Sequence, residues 1–280
     1  MSSASAESHA ASGELARPPA LATPAPLRLL AGAHAMARAE LQKLRHDYLD
    51  LITRSVQPLL WLFVFGTALR QNRELAAGSS DYRAYIAPGV MAQAALFISI
   101  FFGLAVIWER DVGQLQRMLA TPLPRTAIVV GKSVGASVRA FVQATLLLIV
   151  LALASIGVHW TVFGVIGALV MLVIGTGAFA AMSMLIAAGV RTRERFIGIG
   201  QLITMPLFFA SSALYPLSVM PGWLHVVARV NPLTYEVQGL RQMLLGVGGR
   251  GEVLLDFAVV VAFFLAMVAA ATRAYPRAIL

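Results

Sequence analysis

The residue types that most often carry out chemistry are few and widely spaced in this 280-residue sequence. It has no cysteine, which excludes disulfides, iron–sulfur clusters and thiolate zinc sites. The five histidines, at positions 9, 34, 46, 159 and 225, form no HExxH or comparable pair. No paired catalytic carboxylates and no nucleophile with a base are evident. We therefore predict no catalytic residue, no metal site and no cofactor bound by this chain.

One short sequence partly matches a nucleotide-binding motif. Residues 126–133, TAIVVGKS, resemble the phosphate-binding loop G-x-x-x-x-G-K-S/T, whose backbone amides hold phosphates. Thr126 stands in place of the first glycine, and the string runs into an apolar segment instead of linking a strand to a soluble helix. We reject it as an ATP site and interpret Gly131 and Gly135 as small residues that let helices approach closely.

A charged segment, WERDVGQLQRMLATPLPRTAIVVGK at 108–132, separates two strongly apolar runs. Four of its apolar residues can share one side of a short helix: Trp108, Leu115, Met118 and Leu119. Such a helix suits docking in a groove of another protein, because apolar anchors supply affinity and charges set the register. The alternative is a solvated loop that only connects two helices.

The composition of the chain indicates the environment in which these residues lie. With 59% hydrophobic residues, 12% charged residues and a mean hydropathy of +0.77, the chain is too apolar for a soluble globule and belongs in a membrane. The net charge of +9 is spread over loops, so it indicates topology and does not indicate nucleic-acid binding.

Six segments contain the ~20 apolar residues that a membrane-spanning helix needs. They are Leu49–Leu69, Ala84–Trp108, Lys132–Ser155, Thr161–Val190, Phe196–Tyr215 and Val253–Thr272. Pro58 should kink the first of them. Sixteen of the 22 Lys and Arg residues lie on the side that holds both termini, so the positive-inside rule places the termini and the charged segment in the cytoplasm.

The two ends of the chain differ from this central domain of residues 49–272. Residues 1–26 are rich in Ala, Ser and Pro and predict a disordered cytoplasmic tail, and 273–280 form a second cytoplasmic tail. Residues 27–48 place apolar side chains at steps of three and four among basic ones, which is typical of an amphipathic helix lying on membrane lipids. The alternative is a soluble helix packed on a partner.

The outer loop at 216–252 is broken by Pro, Gly and Asn residues and contains two short helical stretches, near Leu224–Val230 and Leu233–Leu245. Asn231 suits an N-cap, with Pro232 at the first helical position. A pair of surface helices outside the membrane is one interpretation.

Acidic residues bear on ion-coupled transport. Carriers of that class usually hold ionisable groups within their spans. None of the thirteen acidic residues lies near the middle of a predicted span, and Asp256 is expected to reach the membrane interface. We therefore expect the energy for transport to come from outside the chain.

Three strings resemble the permease subunits of type 2 ABC exporters: YIAPGVMAQ at 85–93, ERDVGQLQRMLATPLPRTAIVVGK at 109–132 and NPLTYEVQGLRQMLLG at 231–246. The resemblance covers about residues 30–272 and is strongest to daunorubicin-resistance and nodulation-factor exporter permeases. The sequence departs from the family pattern at Gln116 and Gln238, where acidic residues are frequent.

The resemblance implies an all-α integral membrane fold with six transmembrane helices, an interfacial N-terminal helix, a cytoplasmic coupling helix in the loop at 109–131, and two re-entrant half-helices that form an outer gate. It also implies a separate ABC ATPase that carries ATP and Mg²⁺, and a second permease copy or paralogue. The coupling residues expected on this basis are Glu109, Arg110, Asp111, Gly113, Leu115, Leu119 and Pro122. The expected gate residues are Asn231, Pro232, Tyr235 and Arg241.

We thus predict a permease of the bacterial inner membrane that exports an amphipathic small molecule, drug-like compound or lipid-linked cargo by alternating access. Polysaccharide or lipo-oligosaccharide export is the alternative cargo class. We favour the smaller amphipathic cargo because few aromatic residues are available to stack on long sugars. Ion-coupled secondary transport is the alternative mechanism.

Overall fold

The structure, a computed structural model, describes part of the chain. The described residues are 27, 30–32, 34–35, 38, 42, 48–69, 81–115 and 125–274. The tail predicted at 1–26 lies outside them. Within the interfacial helix predicted at 27–48, those residues that are described are helical.

Over the described ranges the chain forms helices and no strand. The helices are α1 (Tyr48–Leu60), α2 (Tyr82–Asp111), α3 (Arg125–Leu153), α4 (Val162–Gly189), α5 (Arg193–Phe209), α6 (Gly222–Val230), α7 (Pro232–Leu245) and α8 (Arg250–Ala274).

Helix α1 is continued by a π-helical turn, Trp61–Phe65, and a short helix, Gly66–Ala68. Pro58 lies inside α1 and has no N–H group, so the carbonyl of Arg54 loses its helical donor. Gln143 of α3 compensates in part, because its Nε2 lies 3.5 Å from that carbonyl oxygen. The irregularity expected at Pro58 therefore takes the form of a π turn, a common response to a disturbed helical ladder.

Four helices, α2, α3, α4 and α8, are long and apolar enough to cross a membrane. Four of the six predicted spans fall on these helices. The other two predicted spans fall on shorter helices: 49–69 is divided among α1 and its two continuations, and α5 has 17 residues and ends at Phe209. The count of six stays a prediction.

Helix α4 lies at the centre, where it contacts α2, α3, α7 and α8. Its side chains are uncharged throughout, and small polar ones join it to α2. Ser183 Oγ donates to the carbonyl of Ile100 at 2.9 Å and accepts from the N–H of Gly103 at 3.1 Å. Ser99 Oγ donates to the carbonyl of Thr176 at 3.0 Å. Hydrogen bonds of this kind between small residues hold membrane helices together at short separations.

Candidate functional site

The first candidate region is the end of α2 in the predicted coupling loop. Glu109 accepts a hydrogen bond from Lys132 Nζ at 2.6 Å, and Lys132 is only 6% exposed. Lys132 and the whole string 126–133 lie within α3, which is a helix and not a phosphate-binding loop. The lysine that would face a phosphate in a nucleotide site is paired with a carboxylate here.

The next two residues of α2 join other helices. Arg110 donates to the carbonyl of Val190 at 2.9 Å and to the carbonyl of Arg191, directly after α4 ends. Unsatisfied carbonyls and partial negative charge accumulate at a helix C-terminus, and a guanidinium satisfies both. Asp111 accepts from Arg193 at the start of α5, with a nitrogen-to-oxygen distance of 2.9 Å. Thus Glu109, Arg110 and Asp111 tie α2 to three different helices.

The chain turns sharply after α2. Gly113 has φ of 72°, in the left-handed region that favours glycine, and residues 114 and 115 are again helical. Leu115 is fully buried and packs with Val106, Ile107 and Ile128. The predicted coupling residues Leu119 and Pro122 lie outside the described residues.

The exposed apolar residues at this end of α2 are Trp108, 57% exposed, and Val112, 55% exposed. The guanidinium of Arg193 lies 4.1 Å from the centre of the Trp108 ring. Sequence reasoning placed Trp108 and Leu115 on one docking side, whereas the structure buries Leu115 and leaves Trp108 and Val112 at the surface. Val112 was missed, because a valine between charged residues gives no signal of its own.

The second candidate region is the predicted outer gate. Asn231 is the N-cap of α7: its Oδ1 accepts from the N–H of Leu233 at 3.0 Å, and Pro232 opens the helix, as predicted. The Asn231 Nδ2 donates to the carbonyls of Leu207 at 2.7 Å and Ala210 at 3.0 Å. These carbonyls belong to the end of α5, so one side chain joins the end of α5 to the start of α7.

Arg241 has a comparable role further along α7. Its guanidinium donates to the carbonyls of Ser212 at 2.8 Å and Tyr85 at 3.3 Å, and it lies 3.7 Å from the centre of the Tyr85 ring. Tyr82 donates to the carbonyl of Leu214 at 2.7 Å. Side chains from α2 and α7 therefore satisfy carbonyl groups of the non-helical backbone after α5.

Tyr235 completes the set of predicted gate residues. Its hydroxyl donates to the carbonyl of Arg229 at 2.7 Å, which ties α7 to the last turn of α6. Three of the four predicted gate residues, Asn231, Tyr235 and Arg241, therefore bond to α5, to α6 or to the segment that joins these two helices. Sequence reasoning missed Tyr82 and Tyr85, although Tyr85 opens one of the three strings that carry the family resemblance.

Asp256, which was expected to reach the membrane interface, is covered by another helix of the protein. Asp256 is only 2% exposed, because α7 packs on α8 and covers it. A Cβ atom placed on Gly239 of α7 would lie 3.5 Å from that of Asp256. Glu236, one turn earlier on α7, is 1% exposed and lies against Gly175, close to the middle of α4. Two carboxyl groups are thus buried among helices, and Glu236 reaches the middle of α4 although the sequence placed it in a loop.

The fold and these contacts define a class: a multi-pass helical membrane protein in which specific side-chain bonds hold the helix ends and the segment between α5 and α7. The family model described as ABC-2 type transporter matches residues 33–245, which is most of the chain. The chain belongs to the ABC-2 type transporter family, and this membership implies the role of a transport permease.

Curated relatives agree with this assignment. The chain is 32% identical over 206 residues to the putative transport permease ycf38 of Cyanophora paradoxa, covering 71% of this chain and 69% of that one. It is 24% identical to the daunorubicin resistance ABC transporter permease protein DrrB1 of Streptomyces coeruleorubidus, over 75% of this chain and 73% of that one. It is 29% identical to nodulation protein J of Rhizobium leguminosarum bv. viciae, over 70% and 75% respectively. The resemblance seen in the sequence is confirmed.

Proposed function

We propose that this chain is the permease subunit of an ATP-driven exporter in a bacterial inner membrane, with both termini in the cytoplasm. A separate ABC ATPase carries ATP and Mg²⁺, and a second copy or paralogue of the permease completes the pathway. Export proceeds by alternating access, with the coupling loop on the inner face and α6 and α7 as re-entrant helices at an outer gate. Membership of the ABC-2 type transporter family supports this arrangement.

The single observation that carries the proposal is the bonding at the end of α2. Glu109, Arg110 and Asp111 join α2 to α3, to the end of α4 and to the start of α5. The coupling loop leaves α2 at Gly113, and its buried Leu115 packs between α2 and α3. A partner that displaces this loop moves four helices together, which is what a motor outside the membrane needs.

A cavity of about 430 Å³ among α1, α2 and α3 supports an amphipathic cargo. Its polar lining includes Arg54, Gln57 and Gln143, and its aromatic lining includes Phe97 and Phe101. The guanidinium of Arg54 lies 4.2 Å from the centre of the Phe101 ring. One cation, two amides and two rings match a molecule with a polar head and an apolar body better than a long polysaccharide.

The absence of native cysteine allows a direct test of coupling by cross-linking. The variant Val112→Cys places a thiol at the exposed turn after α2, and Phe163→Cys, at a position 91% exposed near the other end of the bundle, is its matched control. The permease is co-expressed with an ABC ATPase encoded next to it, and the purified complex is labelled with a maleimide that carries a photoreactive benzophenone, so that cross-linking needs no cysteine on the ATPase. We expect Val112→Cys to cross-link to the ATPase, more in the ATP-trapped state than without nucleotide, and Phe163→Cys not to cross-link.

If the complex assembles and Val112→Cys does not cross-link in either state, the end of α2 is not the coupling element. Equal cross-linking of both variants would show that the reaction is not specific. Export of a fluorescent amphipathic dye by the same complex in proteoliposomes then tests the cargo class, with a labelled oligosaccharide as the competing cargo.

A further inference from the structure

The end of α7 and the start of α8 enclose a polar cavity, and Arg241 is the one predicted gate residue among those that line it. Its volume is about 470 Å³, and it is open on one side. The lining residues that matter are Gln238, Arg241, Gln242, Gly248, Glu252 and Asp256.

Two hydrogen-bond acceptors in this cavity have no partner within the described part of the chain. Asp256 Oδ2 and Gln242 Oε1 belong to residues that line the cavity; both atoms are unpaired and neither is exposed to solvent. Asp256 as a whole is only 2% exposed. A buried acceptor without a donor is costly, and a buried carboxylate without a counter-charge is more so. A single cation bound beside Asp256 Oδ2 and Gln242 Oε1 would satisfy both acceptors.

The charges around the cavity do not supply that cation. Arg241 is its only basic lining residue, and its guanidinium is directed to the carbonyls of Tyr85 and Ser212. Glu252 adds a second carboxylate, whose Oε2 accepts from the N–H of Gly249 at 3.3 Å. Two carboxylates and one guanidinium leave one net negative charge.

The helices packed against α8 do not change this balance. The central helix α4 has no ionisable residue, and residues 140–153, the outer half of α3, have none either. On α7 the remaining ionisable residue near the cavity is Glu236, which is also acidic and has both carboxyl oxygens unpaired. Two other basic residues lie near the cavity without lining it: the His159 ring lies against Gly246, and Arg250 is exposed at the start of α8.

We propose that this cavity binds a small monovalent cation such as Na⁺, with Asp256 as the principal ligand and the Gln242 side-chain carbonyl and Glu252 as further oxygen ligands. Oxygen ligands suit hard cations, and the single net negative charge matches a single positive one. The size of the cavity leaves room for the ion to keep water molecules. The bound ion joins α7 to α8 at the outer face, beside the segment that Arg241 and Tyr85 hold.

The environment of Asp256 differs from that of Glu236, which lies on α7 one turn before Gly239. Glu236 is enclosed against Gly175 and lines none of the cavities described above, so a proton is the natural occupant of its carboxyl group. Asp256 differs because it opens into a cavity that contains two further oxygen-bearing side chains. The inference does not rest on the proposed export function, since a cation could bind here whatever the permease transports.

The test uses the full-length protein purified in detergent at pH 8, with ionic strength held constant by exchanging choline for Na⁺ or K⁺. Ligand that binds only the folded state raises the Tm in a saturable manner. We expect a saturable rise with Na⁺, its loss in Asp256→Asn, and a severalfold higher half-saturating concentration in Glu252→Gln. Glu194→Gln, which removes an exposed carboxylate at the start of α5, is the matched control and should retain the wild-type response.

Two results would overturn the proposal. One is a wild-type Tm that is the same in Na⁺, K⁺ and choline. The other is a Tm that rises on acidification while showing no difference among cations, which would make Asp256 a simple protonated acid. Should Asp256→Asn fail to fold, Gln242→Leu serves instead, because it removes a carbonyl ligand and keeps the carboxylate; an unchanged Na⁺ response in that variant and in Glu252→Gln would also count against the site.

Discussion

Glu109, Arg110 and Asp111 occupy successive positions, yet each bonds to a different helix. Their partners are distant in sequence: Lys132 is 23 residues from Glu109, and Val190 is 80 residues from Arg110. A run of charges at the end of an apolar helix predicts a cytoplasmic loop, but it cannot reveal partners that only the packing of four helices brings together. What looked like a docking surface is largely an internal set of bonds.

The Glu109 and Lys132 pair gives a prediction at the scale of single residues. The variant Glu109→Gln should lower the free energy of unfolding by about 3 kcal/mol, because it leaves the buried Lys132 ammonium without its counter-charge. The double variant Glu109→Gln with Lys132→Met should recover most of that loss, since it removes the unpaired charge as well. Unfolding of the purified permease in micelles, titrated with SDS, measures both.

A double variant that is no more stable than Glu109→Gln would show that the lysine charge is not the source of the loss. The same geometry makes Glu109→Lys a poor test of docking to an ATPase. It would place two cations at one buried position, so any loss of coupling would be confounded by a loss of folding.

At the scale of helices, prediction from sequence succeeded where a segment is long and continuously apolar. Helices α2, α3, α4 and α8 follow from that pattern alone. The start of α7 was also predicted, because Asn231 and Pro232 form a local signal for a helix N-terminus. Pro58 was recognised as a break, but not the π turn that follows it. The burial of Asp256 could not be foreseen, since it depends on α7 lying across the outer end of α8.

Gly89 supports a prediction about how α2 meets the segment after α5. A Cβ atom on Gly89 would lie within 2.8 Å of the backbone carbon atoms of Ala213, and backbone cannot move aside as a side-chain tip can. We expect Gly89→Ala to lower the free energy of unfolding by about 2 kcal/mol through overpacking. The matched control is Gly198→Ala in α5, where nothing lies within 4 Å of the added atom. It should be neutral or stabilise by up to about 1 kcal/mol, because alanine favours helix over glycine.

Unfolding of the two variants in micelles, titrated with SDS, measures both changes in the free energy of unfolding. Equal effects of Gly89→Ala and Gly198→Ala would mean that the contact between α2 and Ala213 does not constrain the fold. A specific loss in Gly89→Ala would explain why a glycine stands in the first string that carries the family resemblance.

At the scale of the whole molecule, the open question is whether α1 with its continuations and the 17-residue α5 cross the membrane as α2, α3, α4 and α8 do. With six crossings and both termini inside, residues near Trp223 lie outside and residues near Val112 lie inside. If neither helix crosses and the termini stay inside, Val112 lies outside instead. The positive-inside distribution favours six crossings, because sixteen of the 22 basic residues then lie in the cytoplasm.

Labelling of single cysteines distinguishes these topologies, and the absence of native cysteine removes background from this chain. We expect Trp223→Cys, at a position 71% exposed on α6, to react with a membrane-impermeant maleimide in intact cells. Val112→Cys should react only after the cells are permeabilised, because six crossings place the coupling loop in the cytoplasm. Val112 is 55% exposed, so a reagent on the same side of the membrane can reach a thiol there, and labelling after permeabilisation checks this. Labelling of Val112→Cys in intact cells would place the end of α2 outside, where no ATPase can reach it, and would overturn the six-span arrangement together with the proposed coupling. Labelling of neither position until permeabilisation would place α6 inside, so that α5 does not cross and the helix pair α6 and α7 is not an outer gate.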